Sequence, residues 1–142
     1  VLVGCGQLPI TAIHVMDRTD VAEIYCLDIS PRAVATVQEL KRTFGWERLQ
    51  PVACSGTEFD FAGTDIVYIA NMVAPKYTTM QRAIATAGPG VQVVLREPYS
   101  LGRLWAERAE SRFDAPLQVC HRGPGSRYLS RDVFVDTGPA AG

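Results

Sequence analysis

The chain has 142 residues with 14 Lys and Arg against 15 Asp and Glu, so it lacks the basic excess needed to grip nucleic acid or an acidic membrane surface. Its length suits one compact domain whose core needs neither disulfides nor a structural metal, and its 12 glycines and 9 prolines are too few for a low-complexity chain. Cys5, Cys26, Cys54 and Cys120 stand apart, with no C-x-x-C pair and only His121 beside Cys120, so no metal site is expected. Isolated cysteines at the ends of apolar runs behave as small hydrophobes and suggest a reducing, cytoplasmic setting. No apolar stretch approaches the roughly 20 residues of a membrane span, and the start carries no charged signal-peptide region.

Short apolar runs alternate with amphipathic stretches, the pattern of strands buried on both faces and joined by crossover helices. Val1 to Val3 reads as a strand end, followed by a glycine turn and a helix over 9–16 with Pro9 at its first position. A second strand covers 23–28. Ser30 is placed to cap a helix opened by Pro31, in which Val34, Val37, Leu40 and Phe44 keep helical spacing up to Gly45. Strands over 49–54 and 65–70 follow. From Lys76, the residues Tyr77, Met80, Ile84 and Ala87 mark a third helix, stopped by Gly88-Pro89-Gly90. A strand over 91–95 and a short helix over 101–108 lead to two last strands, 117–121 and 132–135. The ten residues between these are too few for a helical crossover, which predicts an antiparallel hairpin at the sheet edge.

The expected fold is therefore α/β and Rossmann-like: a doubly wound, mostly parallel seven-stranded sheet over residues 1–136 with an antiparallel C-terminal hairpin. Residues 137–142 are expected to form a flexible tail.

The segment Val1-Leu2-Val3-Gly4-Cys5-Gly6-Gln7-Leu8-Pro9 carries the most chemistry. Gly4 and Gly6 let the backbone come close to a ligand, and a helix N-terminus offers free N–H groups and a positive dipole end. The same glycines also suit a plain tight turn. Asp28 lies 22 residues beyond Gly6 at the end of the second strand, where an acid can accept both ribose hydroxyls; it would equally serve as a cap for the next helix. A dinucleotide site has a third glycine where this chain has Pro9, whereas S-adenosylmethionine has no pyrophosphate and does not need it. That cosubstrate needs short or apolar residues after the third and fourth strands, and Ser55-Gly56-Thr57-Glu58-Phe59 and Asn71-Met72-Val73 occupy those places. Thr57 or Glu58 can face an adenine amino group, or belong to an ordinary exposed loop.

The segment Gly4-Cys5-Gly6-Gln7-Leu8-Pro9-Ile10-Thr11 resembles the G-S-G-P-L-P-x-T motif of nicotianamine synthases and the related bacterial opine-metallophore synthases. Asp28-Ile29-Ser30-Pro31 is similar to their D-I-D-P segment, and Pro89-Gly90 through Arg96 to their P-G-A-x-L-x-x-R stretch. Cys5 and Gln7 replace Ser and Pro, Asn71-Met72-Val73 replaces Ala-Leu-Val, and Glu97-Pro98-Tyr99-Ser100 replaces Ser-Ala-His-Gly. The resemblance implies a transferase using S-adenosyl-L-methionine as cosubstrate, bound by Gly4, Cys5, Gly6, Asp28, Ile29, Gly56, Thr57, Glu58, Asn71 and Met72. It implies the strand order 3-2-1-4-5-7-6 and transfer of a 3-amino-3-carboxypropyl group to a small amine or amino acid acceptor. A conventional small-molecule methyltransferase and a non-catalytic or NAD-binding Rossmann domain are the alternatives.

Beyond the fifth strand, Arg96 is a candidate to pair with an acceptor carboxylate and Tyr99 to hydrogen-bond it or take a proton; Arg96 would otherwise pair with Glu97 or a neighbouring helix end. His14 and His121 read as packed or surface residues, and Arg122, Arg127 and Arg131 as a solvated hairpin. No nucleic-acid or membrane partner is expected, and the oligomeric state is open. Family members carry a helical region before their first strand, so residues preceding Val1 are expected to complete the acceptor site.

Overall fold

A computed structural model describes residues 1–109, 112, 118–123 and 130–136. Among them run strands β1 (Leu2–Val3), β2 (Ile24–Asp28), β3 (Leu49–Ala53), β4 (Ile66–Ile69), β5 (Gln92–Pro98), β6 (Gln118–Arg122) and β7 (Ser130–Asp136). The helices are α1 (Ile10–Arg18), α2 (Pro31–Phe44) and α3 (Lys76–Ala87), with a short 3-10 turn over Ser100–Leu104. The strands form one sheet in the order β3-β2-β1-β4-β5-β7-β6. The first five are parallel, while β7 runs antiparallel to both β5 and β6. This is the expected α/β fold, including its terminal hairpin.

Burial on both faces shows in the strands themselves. Leu2 and Cys26 join the core under α1 and α2 with Ala12, Met16 and Val37, whereas their neighbours Val3 and Leu27 join the core under α3 with Met80 and Ala83. Period-two alternation therefore feeds two apolar layers, and a fully buried residue such as Leu27 contributes about 1.5–3 kcal/mol by leaving water.

Local signals set most boundaries. Ser30 Oγ accepts from the amide of Ala33 at 3.3 Å, and Gly45 ends α2 at φ 65°. Pro9 takes the N-cap position of α1, one place before the expected one, and its carbonyl receives the Ile13 amide at 3.0 Å. In α2 the expected stripe ends early, because Phe44 is 59% exposed and stacks on Trp46 at 4.8 Å.

The largest departure is β5, which runs past Leu95 to Pro98. Its extension pairs with β7, Arg96 opposite Asp132 and Pro98 opposite Ser130. Arg96 is thus a strand residue and not a loop residue, and long-range pairing is the part of strand length that an apolar run does not reveal. The helix expected over 101–108 is only the 3-10 turn. The tail 137–142 and Arg127 of the hairpin loop lie outside the described residues. Among the described residues no helix is long and apolar enough to cross a membrane.

Candidate active site

At the end of β1 the chain turns through Gly4 and Gly6, with φ of 77° and 65°. The amides of Gly4 and Cys5 both bond the Leu27 carbonyl, at 2.8 and 3.1 Å, which fastens the turn to the end of β2. One residue on, the Gly6 amide donates to Asp28 Oδ2 at 2.9 Å, and the Ser30 amide donates to Oδ1 at 2.9 Å. Each carboxylate oxygen holds one backbone N–H, which fixes the carboxylate plane and leaves each a further lone pair for another donor. Asp28 therefore fixes the turn ahead of α2, whose cap is Ser30 and not Asp28, and keeps acceptor lone pairs free.

The glycines divide by what a Cβ would meet. At Gly4 it would lie 2.5 Å from Val73 Cγ2, and at Gly56 2.6 Å from Thr79 Cγ2 and 2.7 Å from Val3 Cγ1. Those two glycines are required by the protein's own packing. At Gly6 a Cβ meets nothing within 4 Å, so this is the position with open space beside it.

A cleft of about 590 Å³ opens at the carboxyl ends of β1, β2, β4 and β5, inside the range of roughly 300–1,000 Å³ for small-molecule sites. Gly4, Gly6, Asp28, Ile29, Gly56, Asn71, Met72 and Arg96 line it, joined by Val3, Cys54, Ser55 and Thr79. Asn71 Oδ1 is shielded from solvent and has no hydrogen-bond partner among the described residues. A second cavity of about 370 Å³ lies at the amino ends of the strands, lined by residues such as Val15, Val21 and Ile66. It is away from both the glycine turn and Asp28, and the loops of a parallel sheet converge at the other end.

Four expected residues stand off the cleft wall. Cys5 is 7% exposed, with its side chain in the α1–α2 core against Cys26, and it reaches the turn only through its backbone. The hydrogen bond with Cys5, together with burial, pushes the Cys26 thiol far up, while the same bond lowers the Cys5 thiol, which is buried away from the cleft. Thr57 Oγ1 shares a 2.8 Å hydrogen bond with Ser55 Oγ, and Glu58 is exposed. Tyr99 is 38% exposed, with the Arg131 guanidinium 5.8 Å from its ring centre. His14 on α1 and His121 on β6 are exposed and do not line the cleft.

Two features were not anticipated. Lys76 is fully buried, and its Nζ donates to the carbonyls of Asn71 (2.9 Å), Arg96 (2.8 Å) and Glu107 (3.1 Å). It ties together the ends of β4 and β5, and burial lowers its pKa while Glu97 and Glu107 oppose that shift. The available signal was a cation at the first residue of a helix, where the dipole disfavours it. Secondly, Arg96 Nε pairs with Asp132 Oδ1 at 3.2 Å, the same oxygen that accepts from the Tyr68 hydroxyl at 2.8 Å. The partner is a cross-strand residue, neither Glu97 nor a helix end.

The strand order, with antiparallel β7 inserted between β5 and β6, is that of the Rossmann-like fold of class I S-adenosylmethionine-dependent methyltransferases. Among solved structures, the chain is similar to MtNAS in complex with MTA and tNA, with a TM-score of 0.80, 16% identity, and coverage of 97% of this chain and 52% of that one. It is similar to the E81Q mutant of MtNAS in complex with S-adenosylmethionine, with a TM-score of 0.73, 15% identity, and coverage of 94% and 52%. The mitomycin 7-O-methyltransferase MmcR matches with a TM-score of 0.76, 19% identity, and coverage of 94% and 47%. At such identities the likeness is one of fold, and the chain spans about half the length of these proteins. No protein-family model matches the chain, and no curated protein is detectably similar to it in sequence.

Proposed function

We propose that the chain binds S-adenosylmethionine in the cleft beside Gly6, Asp28 and Asn71 and acts as a transferase on a small-molecule acceptor. The observation that carries this reading is the Gly6–Asp28 bond, which sets a doubly anchored carboxylate beside an open glycine turn at the mouth of a 590 Å³ cleft. The free lone pairs of Asp28 suit a ribose diol, and the shielded Asn71 Oδ1 suits an N–H or ammonium donor. Pro9 stands where a dinucleotide fold has its third glycine for close helix-to-sheet packing, and antiparallel β7 departs from the parallel order of dinucleotide folds; both weigh against NAD.

Bound here, S-adenosylmethionine would supply an electrophilic carbon attached to a sulfonium. The chain's part is to align the two reactants and keep water out, since the positive charge disperses as the group is transferred. Asp28 and Gly6 hold the nucleoside end, and Lys76 holds the Asn71 and Arg96 backbones at the other wall. The motif resemblance to nicotianamine synthases supports transfer of a 3-amino-3-carboxypropyl group to an amine or amino acid. The fold of MmcR supports methyl transfer on equal terms. Free Cys5, Cys26 and Cys54 fit a cytoplasmic setting.

Incubation with labelled S-adenosylmethionine and mixed small-molecule acceptors, with mass analysis of the nucleoside, tests the reading. Methylthioadenosine marks aminocarboxypropyl transfer and S-adenosylhomocysteine marks methyl transfer. A folded protein that binds no S-adenosylmethionine sinks both.

A further inference from the structure

Asp28 and Arg96 are the charged residues on the described cleft wall, and they stand at opposite sides of it. They lie on β2 and β5, three strand steps apart in the sheet, about 14 Å. The nucleoside end accounts for Asp28 and leaves Arg96 without an assigned role.

The way Arg96 is held bears on that role. Its guanidinium carbon sits 5.4 Å from the Tyr68 ring centre, and its Nε is bonded to Asp132 Oδ1 at 3.2 Å. The Tyr68 hydroxyl, bonded to the same oxygen at 2.8 Å, pins the carboxylate in turn. Arg–carboxylate pairs are frequently bidentate, with both carboxylate oxygens on the guanidinium fork. Here one oxygen takes the Nε edge, and among the described residues Nη1 and Nη2 make no hydrogen bond. The remaining Nη1–Nη2 edge is planar, cationic and set by stacking, the geometry that matches a carboxylate in bidentate fashion. Arg96 and Asp132 are also only part-buried, with side chains 39% and 36% exposed, so a ligand can reach them.

We propose that Arg96, aimed by Asp132 and Tyr68, is a carboxylate-binding subsite at the β5 wall of the cleft. Arg96 touches the ligand; Asp132 and Tyr68 are positioning residues. The inference rests on the cosubstrate reading above and deepens it by fixing the charge class of what lies at that wall. The carboxylate belongs either to the methionine portion of S-adenosylmethionine or to the acceptor, and one set of titrations separates these sources from failure.

Wild type and Arg96→Gln are titrated with S-adenosylmethionine and with methylthioadenosine, which lacks the amino acid portion. Their methylthioadenosine complexes are then titrated with sodium acetate at matched ionic strength, followed by side-chain NMR of arginine. If the cosubstrate supplies the carboxylate, Arg96→Gln weakens S-adenosylmethionine about 10- to 100-fold and moves methylthioadenosine less than about 2-fold. If the acceptor supplies it, both nucleosides bind Arg96→Gln unchanged, and acetate saturably perturbs wild type but not the variant. Equal loss of both nucleosides, or an acetate response absent or alike in the two proteins with S-adenosylmethionine affinity unchanged, overturns the subsite.

Should neither nucleoside bind folded wild type, the cosubstrate reading fails, and acetate titration of the free protein still decides the subsite. Should Arg96→Gln fail to fold, Arg96→Lys, which keeps the charge and loses the fork, is expected to show the same ligand-selective pattern at smaller size. Asp132→Asn should repeat that selectivity more weakly; an equal loss for both nucleosides would make Asp132 merely structural.

Discussion

The two walls of the cleft are wired differently. On the β1–β2 side, the turn and Asp28 are joined by backbone amides of Gly6 and Ser30, so the geometry comes from main-chain groups fixed at the ends of β1 and β2. On the β4–β5 side, the same job falls to buried or half-buried side chains from far along the sequence: Lys76 against Asn71, Arg96 and Glu107, and Asp132 against Arg96 and Tyr68. A wall made of main-chain bonds tolerates side-chain change at its surface. A wall made of charged side chains depends on a few of them.

Substitutions test this contrast, and the largest effect should come from the side-chain wall. Lys76→Met removes a buried cation from three carbonyls and from the field of Glu97 and Glu107, and is expected to destabilise the protein by about 3–5 kcal/mol in urea unfolding. On the main-chain wall, Gly4→Ala combines a positive φ with a 2.5 Å clash against Val73 and should cost about 1–3 kcal/mol. Gly6→Ala, with positive φ but open space, should cost about 1 kcal/mol; equal losses at Gly4 and Gly6 would contradict the packing assigned to Gly4.

Ser30→Ala, which removes the cap on α2, should lower stability by about 1 kcal/mol in the same assay and leave ligand binding intact. The smallest effect is in pH. Because the folded pKa of Lys76 is lowered, the unfolded chain holds this proton at alkaline pH where the folded chain has released it. The stability difference between wild type and Lys76→Met should therefore rise between that lowered pKa and the ordinary lysine value, by less than about 1.4 kcal/mol per pH unit. A difference that falls with pH in that window would reverse the sign assigned to burial.

What could be read from the sequence follows the same division. The glycine turn, Asp28 and the Ser30 cap are marked by residue type at the ends of predicted elements, and the structure places each at such an end. The sequence of elements and the terminal hairpin were legible because apolar runs and loop lengths constrain them. Strand β5 was drawn three residues short, since Arg96, Glu97 and Pro98 are not an apolar run and become a strand only through pairing with β7. Lys76 and Asp132 were invisible for a related reason: a polar side chain acquires its role from partners that only the fold brings to it, as far as 64 residues away. Thr57 and Glu58 were chosen by position in a loop, whereas the fold of that loop turns Ser55 and Gly56 to the cleft.

The central claim is that the doubly anchored Asp28 presents its free edge to a nucleoside in this cleft, and calorimetric titration with S-adenosylmethionine tests it most directly. Wild type should bind saturably at one site, and Asp28→Asn should bind about 10- to 100-fold more weakly, since its amide group faces the Gly6 or Ser30 N–H and spoils the edge. Equal affinity in the two proteins, or no binding by folded wild type, would contradict the account.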